Sequence, residues 1–162
     1  KFWFDFLSEQ YQAEELARRD FNSVIKVIDE NDDSRYISLE PADYFQVSYK
    51  LITNNNTLGT QEFLWTEKQD ADEVTRARTF SSYAENQMLQ LENWVLGFDD
   101  NGFKQELYFE NEPARHKVLD LIGDLYLSGI NPLALNAKIT SNKAGHELNT
   151  KMAAKIKEAL AL

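Results

Sequence analysis

The run Glu112 to Gly129, EPARHKVLDLIGDLYLSG, constrains the fold of this chain more than any other stretch. Pro113 stands just inside the first turn, where a missing N–H costs nothing, and Gly129 stands where a helix most readily stops. The spacing predicts one long helix between them. Val118, Leu119, Ile122, Leu125 and Tyr126 form an apolar surface along it, which another layer of structure has to cover. His116, Asp120 and Asp124 fall at i, i+4 and i+8 and stack on one face beside that surface.

Upstream, the pattern changes to strands. Asn22 to Asp29 reads as a strand, Glu30 to Ser34 as an acidic turn, and Arg35 to Glu40 as a second strand. Phe45, Val47, Tyr49 and Leu51 alternate with Gln46, Ser48 and Lys50, as in a half-buried strand. Asn54 to Gly59 is a turn, explained by its asparagines, and Gln61 to Thr66 returns. Ser81 to Gln90 is polar and helical. Leu91 to Phe98 reads as a strand, Asp99-Asp100-Asn101-Gly102 as a hairpin turn, and Phe103 to Phe109 as the strand pairing back. Leu133, Leu135, Ala137 and Ile139 alternate along a strand over Leu133 to Thr140. Glu147 to Leu162 is a helix with Leu148, Met152, Ile156 and Leu160 at helical spacing. Lys1 to Leu16 is a helix with Phe2, Phe6 and Leu7 on one side. The expected fold is α+β. It is a two-layer sandwich of one mostly antiparallel sheet with helices on one face, within a single domain over 1–162, plus a small β-rich insert at about 81–109.

Composition narrows the function classes. The sequence is 43% hydrophobic and 12% aromatic, which suits a globular domain. A net charge of −10 argues against a broad nucleic-acid surface and against adsorption to anionic lipid. No apolar run approaches the length of a membrane span. The chain has no cysteine, which excludes disulfides and thiolate metal sites. With no recognisable secretory signal at Lys1-Phe2-Trp3-Phe4, the expected location is the cytoplasm.

A histidine and a carboxylate one turn apart can reach a single divalent ion. They also make an ordinary helix-surface contact worth a few tenths of a kcal/mol. Spacing alone leaves both readings open. Scarcity favours the first, because the chain has only two histidines. The second, His146, lies in SNKAGHELN, in a loop that opens the last helix.

Three motifs in order, RARTF (76–80), RHKVLDLIGDLYLSG (115–129) and SNKAGHELN (141–149), resemble the C-terminal half of the UDP-3-O-acyl-N-acetylglucosamine deacetylase family. RYISLEPADYFQVSYKL is similar to that family's path into its central sheet. The resemblance implies a zinc hydrolase of lipid A synthesis that acts on an acylated UDP-sugar. It implies His116 and Asp120 as zinc ligands and His146 as the general acid. Asp124 would hydrogen-bond to His146 and favour its charged form. Lys117 would add positive charge near the substrate phosphates or the developing oxyanion. Thr79 would help stabilise that oxyanion, and Phe80 would pack near the sugar. The region 81–109 would form a hydrophobic passage for the acyl chain, though the stretch between Phe80 and Leu91 is shorter than in the family, and Trp94 stands where a small residue is usual. For Trp94 and Phe98, simple core packing is the competing reading.

The same resemblance implies that a third histidine and the glutamate base come from an N-terminal half, so this chain alone is expected to be inactive. An alternative is a non-catalytic relative, or half-enzyme, that binds a nucleotide sugar or a partner chain. NEPARHKVLD is also similar to the branch of the family fused to a dehydratase domain, although nothing in this chain carries that activity.

Overall fold

The computed structural model describes residues 18–160. The helix expected over Lys1 to Leu16, and the last two residues of the one expected over Glu147 to Leu162, lie outside the described residues.

In chain order the strands are β1 (Arg19–Asp20), β2 (Ile25–Ile28), β3 (Tyr36–Pro41), β4 (Gln46–Ile52), β5 (Thr60–Thr66), β6 (Phe80–Ser82), β7 (Leu96–Asp99), β8 (Gly102–Phe103) and β9 (Leu135–Asn142). The helices are α1 (Asp72–Thr75), α2 (Tyr83–Leu89), α3 (Glu112–Leu125) and α4 (His146–Ala159). The main sheet runs β2-β3-β9-β4-β5, with the short β1 beside the start of β9. β2–β3, β3–β9 and β4–β5 are antiparallel, and β4 runs parallel to β9 at the centre.

Alternation decides which face is covered. Ile37 and Leu39 on β3, Val47 and Tyr49 on β4, and Leu135, Ala137 and Ile139 on β9 are all buried. They pack with Val118, Leu121, Ile122 and Leu125 of α3 and with Leu148, Met152 and Ile156 of α4. Each large side chain in this layer contributes about 1.5–3 kcal/mol through burial. Gln46, Ser48 and Lys50 point the other way and stay partly wet. The fold is therefore α+β, with both long helices on one face of a mostly antiparallel sheet.

α3 stops at Leu125, earlier than the spacing predicts. Tyr126–Ser128 tighten into a 3₁₀ turn, the Ser128 hydroxyl donates to the Leu125 carbonyl at 2.7 Å, and Gly129 closes the turn at φ +87°. The change of winding leaves Tyr126 half-exposed, while Leu121, outside the apolar surface read from the sequence, is fully buried.

The second sheet has the order β6-β7-β8. β6 and β7 are parallel and joined through α2. Gly97 lets α2 lie close, since a Cβ there would come within 2.9 Å of Tyr83 Cδ2. Both strands expected here are shorter than predicted. Leu91 to Trp94 form turns, and the returning strand is only Gly102–Phe103. The cause is Gln105, whose side chain takes the place of a strand partner. Its carbonyl accepts from Gly97 N–H at 2.8 Å, and its amide donates to Glu92 and Val95 carbonyls. Among the described residues no helix is long and apolar enough to cross a membrane.

Candidate active site

The first turn of α4 packs against α3, and the predicted residues meet there. On α3 the His116 Nε2 and Asp120 Oδ1 atoms are 3.1 Å apart. His116 Nδ1–H donates to the Ala77 carbonyl at 3.0 Å. Both ring nitrogens thus face acceptors, and a neutral imidazole can donate to only one of them. The space between Nε2 and the Asp120 carboxylate suits a cation. Two donors bound to one tetrahedral zinc would sit roughly 3.3–3.5 Å apart, close to the observed spacing. The pair therefore fits part of a metal site. Among the described residues, no group of three or more histidine or carboxylate side chains is arranged to hold a metal ion.

Asp120 is mostly buried, and burial alone would raise its pKa. Hydrogen bonds from His116 and from Lys117, whose Nζ is 2.8 Å from Oδ2, outweigh burial and hold the carboxyl at about 2. It is an anion at any ordinary pH.

His146 is the first residue of α4 rather than a loop residue, and Gly145 stands at the N-cap. Its Nδ1–H donates to Asp124 Oδ2 at 2.7 Å, and the same oxygen accepts from Asn149 Nδ2 at 2.9 Å. These partners set the tautomer and leave His146 Nε2 pointing back toward α3, 3.8 Å from Asp120 Oδ2. That gap is too long for a hydrogen bond. The imidazole thus sits across two carboxylates one helical turn apart, with Nε2 available.

The loop before β6 brings the RARTF motif alongside. Phe80 lies edge-on to the His116 ring at 6.3 Å between centroids, and Lys117 Nζ is 5.6 Å from the Phe80 ring centre. The loop is fixed to the start of α3 by Arg78, which pairs with the fully buried Glu112 carboxylate. Thr79 is exposed beside this clasp, and its carbonyl accepts from Leu96 N–H at 2.8 Å. No hydrogen bond joins the Thr79 hydroxyl to the cluster among the described residues.

Trp94 is 76% exposed, so it does not serve as a core residue. Phe98 is partly buried and contacts Phe80, with 6.3 Å between ring centroids. The hydrophobic surface of this small sheet therefore continues toward His116.

Three contributors escape the sequence reading. Asn149 was within sight, one turn after His146 in the same GHELN motif. The Ala77 carbonyl and Glu112 act from far along the chain, and no local pattern announces them.

Comparison with known proteins bears on this geometry. The family model for LpxC, UDP-3-O-acyl N-acetylglycosamine deacetylase, matches residues 1–158. A UDP-3-O-acyl-N-acetylglucosamine deacetylase from Aquifex aeolicus is 40% identical over 131 residues, covering 75% of this chain and 45% of that protein. Proteins with the same description are 35% identical in Campylobacter hominis, covering 73% of this chain and 43% of that protein, and 36% identical in Chlamydia trachomatis, covering 74% and 46%. The chain thus spans less than half the length of the curated relatives it matches. With the match running through the helices and the loop that assemble the cluster, this chain belongs to the UDP-3-O-acyl N-acetylglycosamine deacetylase family.

Proposed function

We propose that the chain is the C-terminal domain of a zinc-dependent amide hydrolase that removes the acetyl group from UDP-3-O-acyl-N-acetylglucosamine in lipid A biosynthesis, in the cytoplasm. The observation that carries this reading is the convergence of His116 and Asp120 with the Asp124–His146 pair.

His116 Nε2 and Asp120 Oδ1 would hold the zinc. When bound, it supplies Lewis acidity to the acetamide carbonyl and to water. The remaining chemistry belongs to side chains. His146, charged, holds a proton at Nε2 and delivers it to the sugar nitrogen as the C–N bond breaks, so the product departs as an amine rather than an amide anion. Asp124 keeps the Nδ1–H in place and stabilises the imidazolium. Lys117 and the Thr79 hydroxyl are the donors on the side where the carbonyl oxygen gains charge. Phe80 offers a flat apolar face to the sugar. The exposed apolar surface around Trp94 receives part of the acyl chain.

Two protein donors are one short of the three that a catalytic zinc usually takes. The third ligand and the base that activates water come, in this reading, from an N-terminal half outside this chain. The chain alone then binds zinc weakly and turns nothing over.

The test pairs two substitutions in the complete two-half enzyme. His116→Ala should lose both zinc and turnover. His146→Ala should keep stoichiometric zinc by atomic absorption and lose turnover. Zinc-dependent deacetylation by the 162-residue polypeptide alone, or full activity in His146→Ala, would refute the assignment.

A further inference from the structure

We infer that Tyr49 and Arg35 are positioning residues for His146: their side chains hold the two consecutive carbonyls of Ala144 and Lys143, and so fix the backbone from which the imidazole projects. The inference rests on His146 being the proton donor.

The His146 side chain is 66% exposed, and among the described residues its ring is hydrogen-bonded through Asp124 alone. An exposed imidazole cannot be placed by packing, so its backbone has to place it. That backbone is the short link between β9 and α4. Lys143 occupies the left-handed region at φ +54°, unfavourable for a residue with a Cβ, so outside contacts must stabilise it. They come from the sheet. Lys143 N–H donates to the Lys50 carbonyl at 2.9 Å, and the Lys143 carbonyl accepts from Arg35 Nε at 3.1 Å. Arg35 is in turn held by Asp29 at 2.6 Å. The Lys143 ammonium reaches Ser34 Oγ at 2.7 Å and Asp32 Oδ2 at 3.2 Å.

One residue on, the Ala144 carbonyl accepts from the Tyr49 hydroxyl. Tyr49 is 1% exposed, so its ring is anchored in the core. Burial, and then the charge of Asp120, push its pKa up, so the phenol stays a donor. The Gly145 carbonyl then accepts the first helical bond of α4 from Asn149 N–H at 3.0 Å. A rigid donor thus grips the chain two residues before His146. Errors of about 1 Å in placing a catalytic group can cost on the order of 100-fold in rate.

The test is Tyr49→Phe, which keeps the ring and removes only the hydroxyl, made in the complete two-half enzyme. Arg35→Lys, which keeps the charge and loses the Nε donor, is the second variant. Each should lower kcat about 10-fold or more, with KM within about two-fold and zinc content unchanged. Because the effect runs through His146, neither substitution should lower the residual rate further in a His146→Ala background. Amide hydrogen exchange at 144–146 should accelerate in both variants. Unchanged kcat in both, or a rate loss of equal size with and without His146, overturns the inference. If His146→Ala itself keeps full turnover, the proton-donor reading falls, and the positioning inference is then decided by the exchange rates alone.

Discussion

Arg78 and Glu112 form a two-point clasp, Nε to Oε1 at 2.7 Å and Nη2 to Oε2 at 3.0 Å, around a carboxylate with no solvent exposure. Backbone N–H groups of Arg78 and Tyr108 fill its remaining positions. Removing one partner of such a pair strands the other. Glu112→Ala should therefore destabilise the chain by about 3 kcal/mol, read as a shift in urea midpoint at constant m-value. A loss below about 0.5 kcal/mol would place the clasp among ordinary surface contacts.

The same pair sets a direction for acid stability. Burial alone would raise the Glu112 pKa, but the hydrogen bonds from Arg78 and the two backbone amides lower it below the usual value. A depressed folded pKa means the unfolded state binds the proton more readily. This contribution to stability is fully present above the unfolded value of about 4.3 and is lost as pH falls through the lower folded value. Unfolding free energy measured down through that window should fall less steeply in Glu112→Gln than in the parent chain. Parallel curves would show that Glu112 does not carry the effect.

Asp124 holds His146 through one oxygen that Asn149 also reaches. Under the proposed function, Asp124→Asn weakens the contact that holds the His146 ring and should lower kcat of the complete enzyme by about 10²–10⁴-fold at unchanged zinc content. Asn149→Ala removes one neutral donor to the same carboxylate, which corresponds to about 10-fold at most. Steady-state kinetics on both variants checks the order, and equal losses would contradict it.

Trp94 stands almost free of the protein, so Trp94→Ala should change stability by less than about 0.5 kcal/mol. Its effect should appear instead in KM for long acyl chains and fade as the chain is shortened. A KM that does not vary with acyl length would remove Trp94 from the substrate surface.

Gly97→Ala should be costly in spite of its small volume. The added methyl would meet Tyr83 Cδ2 at 2.9 Å and Asn86 Nδ2 at 3.1 Å, so the Tyr83 ring and Asn86 amide packed against it must give way. Overpacking of this kind costs about 1–3 kcal/mol, measurable as a lowered melting temperature.

What the sequence disclosed was local. The alternation of Val47, Tyr49 and Leu51 announced β4, and Pro113 located the start of α3. The i, i+4 spacing of His116 and Asp120 placed the two on one face, where the structure has them 3.1 Å apart. What stayed hidden depends on partners far along the chain. Gln105 shortens two strands by offering a side-chain amide where backbone was expected. Ser128 ends α3 a turn early by taking the Leu125 carbonyl. Tyr49 reads as a core aromatic, which it is, and nothing in its neighbours shows that its hydroxyl reaches Ala144, 95 positions later. Periodicity reports which way a residue faces but not what it meets there.

β9 lies between β3 and β4 in the sheet, yet it is the last strand among the described residues. The hairpin of β2 with β3 and the hairpin of β4 with β5 share no hydrogen-bonded edge until residues 135–142 slide between them. As the polypeptide leaves the ribosome, α3 and its His116–Asp120 pair are made before that keystone and wait on an unjoined sheet. His146, four residues behind β9, arrives only as the gap closes, so the cluster assembles after the sheet is joined rather than serving as a nucleus for it.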